Sequence, residues 1–185
     1  STMVSSDPQD GPWKLILRTY FQEAITFFFP DTAKLIDWRQ PPEFLDKEFQ
    51  QIAPDTQTGK RFADQLVKVQ LKRGKELWLL VLAEVQAARE TNFSERMFVY
   101  SLRIFDLFRR PATSLAILCD ANASWRPNEY SFEYPDTSLS FRFGIAKLLD
   151  YRDQWSVLEA SDNPFAVVVM THLKTQETKK DKQSR

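Results

Sequence analysis

The sequence predicts an α/β fold in which helices flank a mixed β-sheet. Two apolar runs, 62–72 and 76–86, surround a turn that contains Gly74, as in an antiparallel hairpin. Apolar residues recur at helical spacing over 93–108, and a short buried strand follows at 115–119. Because strand–helix–strand connections are right-handed crossovers, we expect 115–119 to lie parallel to 77–86. One antiparallel and one parallel pairing make the sheet mixed.

Further elements are predicted on both sides of this unit. Apolar residues at steps of three and four predict an amphipathic helix over 13–29, which Pro30 ends. A short helix is expected over 42–52, since proline suits a first helical turn. A second hairpin, 130–134 with 139–143, is expected to extend the sheet, and a last helix is expected over 164–173.

The amount of apolar material predicts one domain. The chain has 185 residues, of which 43% are hydrophobic, which is enough for one core but hardly for two. We place the domain at residues 13–175. The segments 1–12 and 176–185 are polar and lack an apolar period, so both are expected to be disordered.

Charge and cysteine content exclude several classes of function. Lysine plus arginine and aspartate plus glutamate number 25 each, so nucleic-acid binding must come from a local patch. The chain contains one cysteine, Cys119, and one histidine, His172. These are too few ligands for a zinc site built from histidines and cysteines. No apolar run approaches the roughly 20 residues that span a bilayer, and no signal sequence is apparent. We expect a cytoplasmic protein.

Two acids on the first hairpin form a candidate metal site. Side chains alternate faces along a strand, so Asp64 shares a face with Lys68, and Glu84 shares one with Gln86. If the turn is centred on Gly74, residues whose numbers sum to 148 are paired, which sets Asp64 opposite Glu84. Opposed β-carbons lie about 5 Å apart, where two carboxylates repel unless a cation or proton intervenes. Mg²⁺ or Mn²⁺ prefers such oxygen ligands.

A third acid and a structural alternative bear on this interpretation. Glu48 falls within the apolar stripe of the helix 42–52, where an unpaired carboxylate is costly, and it is a candidate for the same site. The alternative is that the acids end strands only because they reach solvent. A hairpin register that slips by one residue would also separate them.

The helix 93–108 carries a polar stripe after the acidic strand. Arg96, Tyr100 and Arg103 recur at steps of four and three, so they could contact nucleic-acid phosphates near the metal. The alternative reading is a solvated helix face.

Several segments resemble those of a known family. They are RFADQLVKV (61–69), VLAEVQ (81–86), ERMFVY (95–100), LDKE (45–48), KLLDY (147–151) and NPFA (163–166). Over residues 13–175 the chain resembles the Rpn-like recombination-promoting nucleases and transposase-like proteins of the PD-(D/E)XK nuclease superfamily. This resemblance implies a restriction-endonuclease-like core.

The resemblance also implies roles for particular residues. Asp64 and Glu84 would hold Mg²⁺ or Mn²⁺, and Glu48 would match a helical acid of the superfamily. Gln86 stands where many members carry lysine, and Lys68 is the side chain that would compensate. The superfamily core usually has three strands before its second helix, whereas only two are recognised in this sequence, and a short third strand would fit between residues 55 and 60.

The function implied is that of a metal-dependent DNA endonuclease linked to transposition or recombination. It would hydrolyse phosphodiesters to 5′-phosphate products, and by the same resemblance it would act as a homodimer that cuts both strands. Because Gln86 replaces lysine, the alternative is a catalytically inactive DNA-binding or protein-interaction module that retains the fold.

Overall fold

A computed structural model describes residues 10–53, 63–84 and 92–183 of the chain. The helices are α1 (Asp10–Thr19), α2 (Phe21–Phe28), α3 (Pro30–Leu35), α4 (Asp46–Ile52), α5 (Phe93–Phe108), α6 (Trp155–Ala160) and α7 (Pro164–Gln183), with a 3-10 helix over Leu148–Gln154. The strands are β1 (Glu43–Phe44), β2 (Gln65–Gln70), β3 (Glu76–Glu84), β4 (Ala112–Leu118), β5 (Glu129–Tyr134), β6 (Thr137–Arg142) and β7 (Gly144–Lys147).

Five strands form a mixed sheet in the order β1-β2-β3-β4-β7. β1 with β2 and β2 with β3 pair antiparallel, whereas β3 with β4 and β4 with β7 pair parallel. The helix α5 connects β3 to β4, and the predicted parallel pairing of these two strands is confirmed. The α/β class and the mixed sheet flanked by helices are confirmed with it.

Two apolar layers cover the two faces of this sheet. Leu79, Val81 and Ala83 of β3 belong to one buried cluster, which includes residues of α1, α2 and α7. Leu80 and Leu82 belong to the other cluster, with residues of α4 and α5. Strand side chains alternate faces, so a continuous apolar strand such as β3 is buried on both sides. The even-numbered positions of β3 therefore face α4 and α5.

The second hairpin does not extend the sheet, which corrects the prediction. β5 and β6 pair with each other as a separate two-stranded sheet, and β7 occupies the position beside β4. Phe98 of α5 stacks on Tyr130, with ring centroids 5.0 Å apart, and contacts Phe141 as well. Because the apolar face of the hairpin packs on α5, the hairpin is held by the helix and not by a sheet edge.

The first predicted helix is two helices. α1 ends at Thr19 and α2 begins at Phe21, with Tyr20 at φ −116° and ψ 46° between them. The apolar period continues through the break, since Leu17, Phe21 and Ala24 are all buried. Neither proline nor glycine marks the break, so the period alone does not reveal it.

Other element bounds differ from the prediction. The short helix begins at Asp46, because Glu43–Phe44 forms β1 and pairs with Lys68 and Val67 of β2. The strand expected between residues 55 and 60 lies outside the described residues, and β1 is a third strand before α5. The last helix starts at the predicted Pro164 but continues to Gln183, through most of the tail expected to be disordered. In the part of the chain that the structure describes, no helix is long and apolar enough to cross a membrane.

Candidate active site

The register of the first hairpin differs from the prediction by two residues. Gln65 pairs with Val81, and Leu66 pairs with Leu80, so paired residue numbers sum to 146 and not to 148. Asp64 is therefore not directly opposite Glu84, and the prediction that it would be is wrong. A shift of two residues keeps every side chain on its original face, whereas a shift of one would reverse it.

The turn explains the register. Leu71 N donates to Lys75 O at 2.7 Å, so the loop consists of the three residues between them. Gly74, the last of these, has φ +81°. Three-residue hairpin loops commonly end in a residue of left-handed conformation, which glycine adopts without strain. The glycine thus ends the loop and does not lie at its centre.

Asp64 and Glu84 are buried on the same face at the same edge of the sheet. Asp64 is 3% exposed and Glu84 is 1% exposed. The observed register begins at Gln65, paired with Val81. If it is continued by one residue, Asp64 lies beside Leu82 and diagonal to Glu84. Diagonal neighbours of this kind lie about 7 to 8 Å apart at the backbone, within reach of side chains that converge. The two acids are therefore neighbours, but at a greater separation than predicted.

Arg96 supplies a positive charge to Glu84. Its Nη2 lies 3.9 Å from Glu84 Oε2, and the arginine side chain is only 10% exposed. Arg96 lies near the start of α5, which follows β3 in the chain and so returns from the edge where Glu84 lies. Its guanidinium carbon is 5.3 Å from the centroid of the Phe93 ring. Glu84 and Arg96 thus form a buried ion pair between the sheet and the helix.

The other residues of the predicted polar stripe have different environments. Tyr100 is buried, and its ring makes an edge contact with Phe49, 5.8 Å between centroids. Arg103 is exposed and donates from Nη1 to Ile52 O at 2.7 Å. Tyr100 and Arg103 therefore contact α4. The alternative of a solvated helix face is wrong for Tyr100 and Arg96, because the side chains of both are largely buried.

Glu48, Lys68 and Gln86 complete the predicted set. Glu48 lies on α4 and is half-buried. Lys68 Nζ is 2.8 Å from Glu43 Oε2 and 3.9 Å from Glu76 Oε1, and hydrogen bonding with Glu43 raises the pKa of Lys68. Four residues along a strand, about 13 Å at 3.3 Å per residue, separate Lys68 from Asp64. Gln86 lies outside the described residues.

A second buried ion pair lies along the same edge and was not predicted. Lys147 Nζ lies 2.6 Å from Asp120 Oδ1 and 3.0 Å from Trp125 O, and both charged side chains are buried. Lys147 ends β7, and Asp120 follows β4. The sequence contained one indication of this pair, because Asp120 follows an apolar strand much as Glu84 ends one.

The register places this second pair on the face of the first. Glu84 pairs with Leu118, and Leu118 pairs with Lys147, so the three side chains share one side of the sheet. Trp125 connects the pairs, since its ring is 5.5 Å from Lys147 Nζ and 5.5 Å from the Phe93 centroid. The carboxyl edge of the parallel strands therefore carries a continuous group of buried charges and aromatic rings.

The donor set suits a hard divalent cation with a partly hydrated shell. Among the described residues, no group of three or more histidine, cysteine, aspartate or glutamate side chains could hold a metal ion. Within the described ranges, the candidate ligands buried on this face are the carboxylates of Asp64 and Glu84. Mg²⁺ is commonly bound by one or two carboxylates, with water and substrate phosphate completing its octahedron. These residues fit that mode, and they do not fit a closed all-protein cage.

Comparisons with protein-family models, with curated proteins and with solved structures found no match to this chain.

Proposed function

We propose that this chain is a metal-dependent DNA endonuclease with a restriction-endonuclease-like core, of the Rpn-like type within the PD-(D/E)XK superfamily. The observation that carries the proposal is the burial of two acids, Asp64 and Glu84, on one face and at one edge of adjacent strands. Two buried carboxylates are costly unless opposite charge compensates them, and such pairs concentrate at functional sites. Among the described residues, three strands precede α5, which is the number that the resemblance implies and which supports the proposal.

In this proposal Asp64 and Glu84 would hold Mg²⁺ or Mn²⁺. The bound ion would polarise a phosphoryl oxygen and lower the pKa of a coordinated water. The low dielectric around the two buried side chains would strengthen the attraction between a carboxylate and the cation. Gln86 is two residues beyond Glu84 in the sequence, and in this proposal its amide would orient the attacking water by hydrogen bonding.

Lys68 does not take the role of the missing lysine in this proposal. Its ammonium is held by Glu43 and Glu76 near the other end of β2. That observation favours the second candidate, a non-catalytic module that binds DNA or protein and retains the nuclease fold. The two candidates differ in whether the bound cation supports hydrolysis.

Cleavage of supercoiled plasmid DNA tests the proposal. Wild-type protein with Mg²⁺ or Mn²⁺ should nick the plasmid, EDTA should stop the reaction, and Asp64→Asn and Glu84→Gln should each reduce the rate by about 100-fold or more, as loss of a site group does. Asp106→Asn is the matched control, because Asp106 is an aspartate with a side chain 73% exposed on α5. Its rate should equal that of wild type.

Thermal melts must first show that each variant is folded. Nicking that persists in both folded site variants contradicts the assignment. Cation binding by calorimetry without any nicking favours the non-catalytic module.

A further inference from the structure

We infer that Arg96 is the resident counter-cation of Glu84. A divalent cation displaces the Arg96 guanidinium from Glu84, and the guanidinium then binds the phosphate of the substrate. The inference rests on the proposed function, because it concerns how the same site takes its metal and its DNA. It assigns Arg96 a regulatory part in metal binding, beyond a simple phosphate contact.

The contact between Arg96 and Glu84 occupies a position that a metal would need. Arg96 Nη2 lies 3.9 Å from Glu84 Oε2, with the two side chains 10% and 1% exposed. In so buried a place the attraction between opposite charges is much stronger than in water. A cation that binds Glu84 must therefore compete with the guanidinium already beside it.

The side chain of Arg96 has the chemistry for both partners. Guanidinium binds carboxylate and phosphate with the same planar donor geometry. Its stacking with Phe93, at 5.3 Å, anchors the charged end near the start of α5 while it changes partner. Backbone N–H groups at the start of a helix of this length also favour an anion there.

Titration with Mn²⁺ alone tests the competition. By isothermal calorimetry, Arg96→Gln should bind Mn²⁺ about tenfold more tightly than wild type, because the competing charge is gone. Affinity for a short DNA duplex in Ca²⁺ should fall about tenfold in the same variant, because a phosphate contact is lost. Arg142→Gln is the matched control, since Arg142 lies 3.8 Å from Glu129 but is 78% exposed. It should leave the Mn²⁺ affinity unchanged.

A measurement on wild-type protein covers the case in which Arg96→Gln does not fold. The Nε–Hε resonance of Arg96, assigned by its absence in Arg96→Lys, should shift on addition of Mg²⁺ with the midpoint of the calorimetric titration. An unmoved resonance in protein that binds Mg²⁺ overturns the inference.

The outcomes separate this inference from the proposed function. Wild-type protein that binds neither Mn²⁺ nor Mg²⁺ overturns both. Wild type that binds Mn²⁺, together with a folded Arg96→Gln of equal or weaker Mn²⁺ affinity, overturns the role of Arg96 and leaves the metal site standing. Such a result would assign the pair a purely structural role.

Discussion

Lys147 Nζ lies 2.6 Å from Asp120 Oδ1, and neither side chain has appreciable contact with solvent. Replacing only one member leaves a buried charge without compensation. We expect Lys147→Met to lower the free energy of unfolding by about 3 to 5 kcal/mol, as in other broken buried pairs. Urea denaturation measures the loss.

Two comparisons test this explanation. The double variant Lys147→Met with Asp120→Leu should recover part of the loss, because it removes both charges. Arg126→Ala breaks an exposed pair with Asp150 and should cost far less. Equal costs for Lys147→Met and Arg126→Ala would contradict the importance of burial.

Gly74 sets the register of the hairpin that carries the acids. Its φ of +81° is unfavourable for residues with a β-carbon, although an added Cβ would meet no atom within 4 Å. Gly74→Ala should therefore destabilise the protein by about 1 kcal/mol through backbone strain alone. Gly74→Asn should cost less, since asparagine tolerates this conformation better. Denaturation midpoints measure both, and an unchanged midpoint in Gly74→Ala would be the contrary result.

His172 makes stability depend on pH. Its Nε2 is 2.7 Å from Cys119 O, and its pKa is lowered below 6.5, chiefly because burial disfavours the charged form. As the pH falls below 6.5, the unfolded chain takes up a proton that the folded imidazole resists, so folding stability decreases. His172→Gln should lose less stability than wild type between about pH 7.5 and pH 5.5. Denaturation at both pH values checks this, and equal losses would remove His172 as the cause.

Tyr130 holds the β5–β6 hairpin on α5 through its stacking with Phe98. An isolated two-stranded sheet is only marginally stable in water. Tyr130→Ala should therefore increase amide hydrogen exchange across residues 129–142 while protection in β3 and β4 persists. Tyr134→Ala is the control, because Tyr134 is 68% exposed at the far end of the strand. Protection that falls equally in β3 would show that the hairpin does not open on its own.

Local patterns predicted the elements whose signals lie close together in the chain. The crossover from β3 through α5 to β4 follows from an apolar strand, a helical period and a second apolar strand. The position of β7 does not follow from local patterns, because Gly144–Lys147 is a short segment whose strand conformation depends on its pairing with β4. The β5–β6 hairpin was recognised, but its packing on α5 depends on a contact between distant rings.

The sequence by itself determined that Asp64 and Glu84 point to the same face, because alternation along a strand survives a register error of two residues. Only the tertiary structure decided what surrounds them. Arg96 reaches Glu84 because α5 folds back over the sheet, and Lys147 meets Asp120 because β7 pairs with β4. Residues distant in the chain become neighbours through strand order and helix packing, and no local period encodes that order.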